Sequence, residues 1–208
     1  MYHAVGMHPT PPQHALLALA ILAAALGAAA ASAGGDGWKT SFDLGEKAYR
    51  LGRLAEAHLL FTAALAKAQA FGPGDPRLAS TLDRLAGVDA SQRRYAEAMA
   101  LYRRALAVEE AGSGVASVAV ARRLYDLAEL HRLEGRWDDA RPLYQRAIAI
   151  WESTASPDPL AFARCLEGYA ALLWKTRGYT KAAALESRAR KLRRGRGEAG
   201  GEPPGASR

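Results

Sequence analysis

Apolar residues recur along this chain at helical spacing. Leu124, Leu127, Ala128 and His131 fall at i, i+3, i+4 and i+7, which is one face of a helix. After Gly135-Arg136 a second stripe begins with Trp137, Ala140, Leu143, Tyr144, Ala147 and Ile148. A glycine between two such stripes accepts a left-handed helix cap, so the segment predicts two helices joined by a tight turn. The same frame occurs at Leu44-Gly45, Gly52-Arg53-Leu54, Ala57, Phe61 and Ala64-Leu65. It returns at Leu85-Ala86, Arg93-Arg94-Tyr95, Ala98, Tyr102 and Ala105-Leu106, and again at Tyr169-Ala170, Arg177-Gly178-Tyr179, Ala182, Glu186 and Ala189. Leu54, Tyr95, Trp137 and Tyr179, which open the second helices, stand 41, 42 and 42 residues apart.

The frame predicts its own packing. Ala57, Ala98, Ala140 and Ala182 mark positions where two helices approach closely, and Phe61, Tyr102 and Tyr144 fill the space one turn later. Breakers separate the copies: Gly72-Pro73-Gly74-Asp75-Pro76, Gly112-Ser113-Gly114 and Pro157-Asp158-Pro159. A single helix pair cannot bury both its faces, whereas pairs stacked in series bury a continuous core. The expected fold is all-α, an α-solenoid of about four antiparallel helix pairs at 38–75, 79–114, 121–156 and 163–194. The last pair replaces the aromatic with Glu186 and ends in Arg188, Arg190, Lys191, Arg193 and Arg194, a polar face suited to a terminal cap. Residues 195–208 are rich in Gly and Pro, and disorder is expected there.

Ahead of the repeats lies a different pattern. No Asp, Glu, Lys or Arg precedes Asp36. Ala15 to Ala33 is an uncharged apolar run, Ala31-Ser32-Ala33 offers small residues for a signal peptidase, and Gly34-Gly35-Asp36-Gly37 forms a polar exit. Residues 1–33 therefore predict a secretory signal peptide, with Met1 or Met7 as its start. An uncleaved membrane anchor and an extra buried helix are the alternatives, because the run approaches the ~20 residues that span a bilayer. Cleavage implies a periplasmic or secreted protein, and retention implies an anchored one.

Charge and chemistry add little that is specific. The net charge of +7 suits acidic partners, anionic lipid or nucleic acid, but the cations are spread along helices as solvated faces are. The cluster from Arg188 to Arg196 reads as a solvated helix end, with loose contact to an anionic surface as the alternative. The single cysteine, Cys165, lies on an apolar helix and is expected in the core. Phosphate-binding glycine loops, nucleophile elbows and metal-binding helices are absent from the sequence. His58 and His131 are expected to be structural, Glu109-Glu110 to be surface charge, and Asp138-Asp139 to start a helix. No catalytic residue, cofactor or metal is expected.

At these residues the chain resembles the tetratricopeptide repeat family, and within it the kinesin-light-chain-like subgroup with repeats of 42 residues. Asp139-Ala140-Arg141-Pro142-Leu143-Tyr144-Gln145-Arg146-Ala147-Ile148 is similar to that subgroup's second helix. Gly72 to Pro76, leading to Ala79-Ser80-Thr81-Leu82, is similar to its linker. The resemblance spans residues 38–194 and implies a right-handed superhelix that binds other proteins. It also implies a concave groove lined by the first helix of each pair. By frame the groove residues are Lys39, Phe42, Glu46 and Tyr49, then Asp83, then Arg122, Tyr125, Glu129 and Arg132, then Arg164, Glu167, Trp174 and Lys175. Asp83-Arg84 stands where the subgroup has an asparagine pair, and the sequence contains no asparagine. An asparagine clamp on a peptide is therefore not expected. Arg122, Arg132 and Arg164 suggest a grip on an acidic segment instead. The expected function is a non-catalytic scaffold for protein or peptide partners, without a small-molecule substrate or nucleic acid. A membrane-anchored accessory subunit on the cytosolic side and a self-assembling repeat protein are the alternatives.

Overall fold

The computed structural model describes residues 36–154 and 158–199. The leader expected at 1–33 lies outside these residues, as does most of the expected tail. The chain divides into two compact units, one up to Ala70 and one from Phe71 onward.

The first unit contains α1 (Asp36–Arg50) and α2 (Leu54–Ala68). Phe61 of α2 is fully buried and meets Phe42 of α1 edge-on, with ring centroids 5.6 Å apart. Trp38 lies 5.1 Å from Phe42. Gly45 makes this approach possible, since a Cβ there would stand 2.8 Å from the Phe61 ring. Lys67 at the end of α2 donates to the Gly37 carbonyl at the start of α1 over 2.7 Å, as antiparallel packing requires.

The second unit holds three pairs: α3 (Pro76–Ser91) with α4 (Tyr95–Ser113), α5 (Val118–Leu133) with α6 (Trp137–Ser153), and α7 (Pro159–Lys175) with α8 (Tyr179–Ala199). Each helix packs on its pair mate, α4 packs on α5, and α6 packs on α7. The first helices α5 and α7 also touch, which makes them neighbours in an inner row. Ala98, Ala140 and Ala182 are wholly buried at the close approaches, and Tyr102 and Tyr144 are buried one turn later.

Capping explains why the first helices of the second unit begin three or four residues before the expected boundaries. The Asp75 side chain accepts the Arg77 N–H at 2.8 Å. Ser117 accepts from Val120 at 3.3 Å, and Asp158 from Leu160 and Ala161 at 3.1 and 3.2 Å. Pro76 and Pro159 occupy the first helical position, where no N–H is needed. These prolines start helices as well as separating repeats. Gly112-Ser113, expected in a linker, belongs to α4. Gly112 faces Gly74 so closely that a Cβ on it would strike the Gly74 carbonyl.

Every pair turns by one device. Gly52, Arg93, Gly135 and Arg177 have φ of 70°, 61°, 74° and 62°. The next residue then donates its N–H back five positions: Arg53 to Ala48 at 3.0 Å, Arg94 to Asp89 at 2.9 Å, Arg136 to His131 at 2.9 Å, and Gly178 to Leu173 at 2.8 Å. This closure satisfies the last carbonyls of each first helix.

Candidate protein-binding face

The expected groove residues fall in both units. In the first, Lys39 is exposed and pairs with Asp43 at 2.5 Å, one helical turn away. Phe42, Glu46 and Tyr49 are half-buried.

In the second unit the inner row is a network. Glu129 and Arg132 are one turn apart on α5 and bonded at 2.7 Å. The buried Tyr144 hydroxyl donates to Glu129. Burial and the Glu129 charge push the Tyr144 phenol well above its usual range, so it remains a donor. Tyr144 stacks on Tyr169 at 5.6 Å and lies 6.4 Å from Tyr125. Gln145 donates to the Tyr169 hydroxyl at 3.0 Å. Gly168 leaves the room this arrangement needs, because a Cβ there would run into Glu129 and the Tyr144 hydroxyl.

Around the network the expected residues are mostly engaged by their own chain. Arg122 is exposed and pairs with Asp158 at 2.9 Å. Arg193 of α8 holds Glu167 through two bonds of 2.9 and 2.7 Å. Arg164 and Lys175 are exposed and make no ion pair among the described residues. Trp174 is exposed, with its indole N–H donating to Glu186 at 2.7 Å. The acid that replaced the aromatic in the last repeat therefore positions a surface tryptophan.

Asp83 leads to an arrangement the sequence reading missed. It contacts Arg123, a guanidinium only 9% exposed. Asp126 approaches the same guanidinium at 3.2 Å and Glu109 at 3.6 Å. Glu109 was expected at the surface. It is instead half-buried beside Arg123, because α4 packs on α5. Burial pushes the Glu109 carboxyl up to about 7, and Asp126 adds to the rise. Burial likewise lifts Asp126 to about 6, against the pull of Arg123 and Arg122. The available signal was positional: Arg123 falls in frame with Thr81 and Cys165, both fully buried, so a cation there had to carry partners inward. Cys165 is buried as expected, and burial raises its thiol well above the reactive range. His131 is buried, and burial lowers its pKa, which keeps the ring neutral.

Among the described residues no group of His, Cys, Asp and Glu side chains is arranged to hold a metal ion. Among them, no helix is long and apolar enough to cross a membrane. The face therefore offers half-exposed tyrosine, charged side chains and one exposed tryptophan, which are materials for contact with another protein.

Tetratricopeptide repeat family models match residues 78–111 and 119–195. Among solved structures the chain is similar to BtubC (BKLC) from P. vanneervenii, with 22% identity and a TM-score of 0.72 over 83% of this chain and 68% of that one. It is similar to the kinesin light chain nearly identical TPR-like repeats of Podosopora anserina, with 16% identity and a TM-score of 0.67 over 89% and 91% of the two chains. MamA is similar at 16% identity and a TM-score of 0.62, over 85% of this chain and 89% of its own. At these identities the likeness shows the fold, which is the all-α solenoid of paired helices. No curated protein matches the sequence.

Proposed function

Since the chain belongs to the tetratricopeptide repeat family, with repeats of the kinesin-light-chain-like kind, we propose that it is a non-enzymatic scaffold that receives a segment of a partner protein along α3, α5 and α7. Repeats of this family support protein interaction in general, and the placement of the segment rests on one observation. Asp83, Tyr125 and Glu167 are spaced by 42 residues and all half-exposed, so they repeat one surface position along the inner row. Tyr125 supplies apolar contact with few rotatable bonds, and the flanking charges supply orientation. Of the three arginines expected to grip an acidic segment, Arg164 is the one that makes no ion pair among the described residues, although its charge acts on Asp126 and Asp158.

The reading is tested by a photo-crosslinking residue placed singly at Tyr125, Glu167 and, as the outer control, Arg104, in native cells. Capture of one partner from the two inner positions and not from 104 is expected. Equal capture from all three positions removes the groove. We also place the protein outside the cytoplasm, delivered by the uncharged apolar run before Asp36. Sequencing the N-terminus of the native protein, with protease added outside the cytoplasmic membrane, tests this: a start at Gly34 supports export, and a retained Met1 or Met7 with the repeats protected from the protease refutes it.

A further inference from the structure

The end of the third pair in the second unit differs from its two counterparts. Tyr95 and Trp137 open α4 and α6 half-buried, packed against the apolar clusters of their pairs. Tyr179 opens α8 with 52% of its surface exposed. Beside it Trp174 is 43% exposed, the two rings tilted at 39° with centroids 5.5 Å apart. The indole N–H is already bonded to Glu186, so both rings offer apolar faces to an incoming group.

The charges at this turn are one-sided. Lys175, Arg177 and Lys181 are exposed, and none makes an ion pair among the described residues. Lys181 rests over the Tyr169 ring, 5.4 Å from its centroid, which ties the cations at the turn to the inner row. Among the described residues the acid at this turn is Glu186, and it accepts from the indole. On the inner row Arg122, Arg132 and Glu167 are neutralised within the chain, while Arg164 makes no ion pair among the described residues. Arg177 holds the left-handed φ of 62° where Gly52 and Gly135 stand in two other turns, and it is exposed. Aromatic faces ringed by uncompensated cations complement an acidic segment that carries an apolar side chain.

We infer that the turn between α7 and α8, through Trp174, Tyr179, Lys175, Arg177 and Lys181, is a docking point for an acidic peptide segment of a partner protein with an aromatic or aliphatic anchor. This deepens the scaffold reading and rests on it. It moves the acid preference from the inner arginines to the turn.

The test uses the full chain and a fluorescein-labelled 12-residue peptide of Glu and Asp with Phe at every fourth position, titrated at low and at physiological salt. A lysine version of the peptide and vesicles of anionic and of neutral lipid are the comparisons. The K175E/K181E variant should bind the acidic peptide at least about tenfold more weakly, as should Trp174→Ser, while Arg104→Glu stays within about twofold. Circular dichroism melts show whether each variant is folded. Retention of affinity by both folded turn variants, or no binding of the acidic peptide by the parent chain, overturns the proposal. Binding of anionic vesicles in place of the peptide, abolished by the same variants, reassigns the surface to lipid and also overturns it. Loss of peptide binding in the turn variants, with no capture at positions 125 and 167, keeps the docking point and rejects the groove. Capture at 125 and 167 with unaltered turn variants does the reverse.

Discussion

Glu109 and Trp151 stand 42 residues apart, at one place in successive second helices, and so do Arg123 and Cys165 in the first helices they face. At this position two consecutive joints of the six-helix unit are built on one frame from opposite chemistry, although α4 and α5 also share an apolar cluster of Met99, Tyr102, Leu127 and Leu130. Where α6 meets α7, Trp151 stacks on Phe162 at 5.7 Å, in a core shared with Cys165, Leu166 and Tyr169. Where α4 meets α5, a buried guanidinium sits among Asp83, Glu109 and Asp126. An apolar joint gains its stability from area removed from water and is insensitive to pH. A buried ionic joint offsets desolvation with pairing, contributes little net stability, and responds to protonation. In a stacked array each joint adds its own nearest-neighbour term, so the unit has a strong joint and a tunable one.

The largest effect should come from the apolar side. Trp151→Ala removes a side chain 1% exposed and leaves a cavity between α6 and α7. A loss of about 4 kcal/mol is expected, read as a lower urea midpoint. A loss under about 1 kcal/mol would mean that this joint does not depend on the indole, and the contrast would collapse.

This contrast also marks how far the sequence could be read. The helices, their order and the buried stripes followed from the frame, because apolar burial leaves a period: Ala57, Ala98, Ala140 and Ala182 are all wholly buried. The turns followed too, although at Arg93 and Arg177 the frame, not the residue type, marked the left-handed position. Helix starts were misjudged because Pro76 and Pro159 act as first helical residues once Asp75 and Asp158 cap them. The ionic joint stayed hidden because Arg123 and Glu109 resemble surface charges one by one. Only their facing positions across two helices reveal burial, and a linear pattern does not encode that facing. On the candidate face, residue types were legible and pairings were not. Nothing in the spacing says that Arg122 reaches Asp158, 36 residues away, while Arg164 makes no ion pair among the described residues.

Removing the cation should be next in size. Arg123→Met leaves Asp83, Glu109 and Asp126 with no buried counter-charge, and about 3 kcal/mol should be lost at pH 8. Repeating the urea titration at pH 5 should recover part of that loss, since protonation relieves the same carboxylates. An equal loss at both pH values would show that the guanidinium acts only as packing. The double variant E109L/R123M then converts the ionic joint towards the apolar one. It should recover part of the loss seen in Arg123→Met, because one of the three stranded carboxylates is removed while Asp83 and Asp126 still lack their cation. A double variant as weak as Arg123→Met alone would mean that this joint needs its charges, and the two chemistries would not be interchangeable on this frame.

The smallest effect is the pH dependence of the parent chain, and its sign is the sharpest test of the ionic joint. Glu109 is raised from 4.5 to about 7 and Asp126 from 3.8 to about 6, so the folded state holds protons that the unfolded chain releases. Their contribution is full below the unfolded values and is lost as pH rises through about 6 to 7. Stability should therefore increase, by on the order of 1 kcal/mol, as pH falls from 8 to 5. The charged groups around Glu109 are Arg122, Arg123 and Asp126 from α5; Asp83 from α3 pairs with the same Arg123, and the charge of Arg164 from α7 acts on Asp126. His131 works in the opposite direction. Burial lowers its pKa, so its contribution is present above the unfolded 6.5 and is lost on acidification. A net slope alone is thus ambiguous, and the comparison with Glu109→Gln resolves it, because His131 contributes equally to both proteins. Between pH 5 and 8 the parent should gain more on acidification than the Gln variant does. Parallel curves would mean that Glu109 titrates as a solvated carboxylate, and the joint between α4 and α5 would then lack its proton-sensitive group.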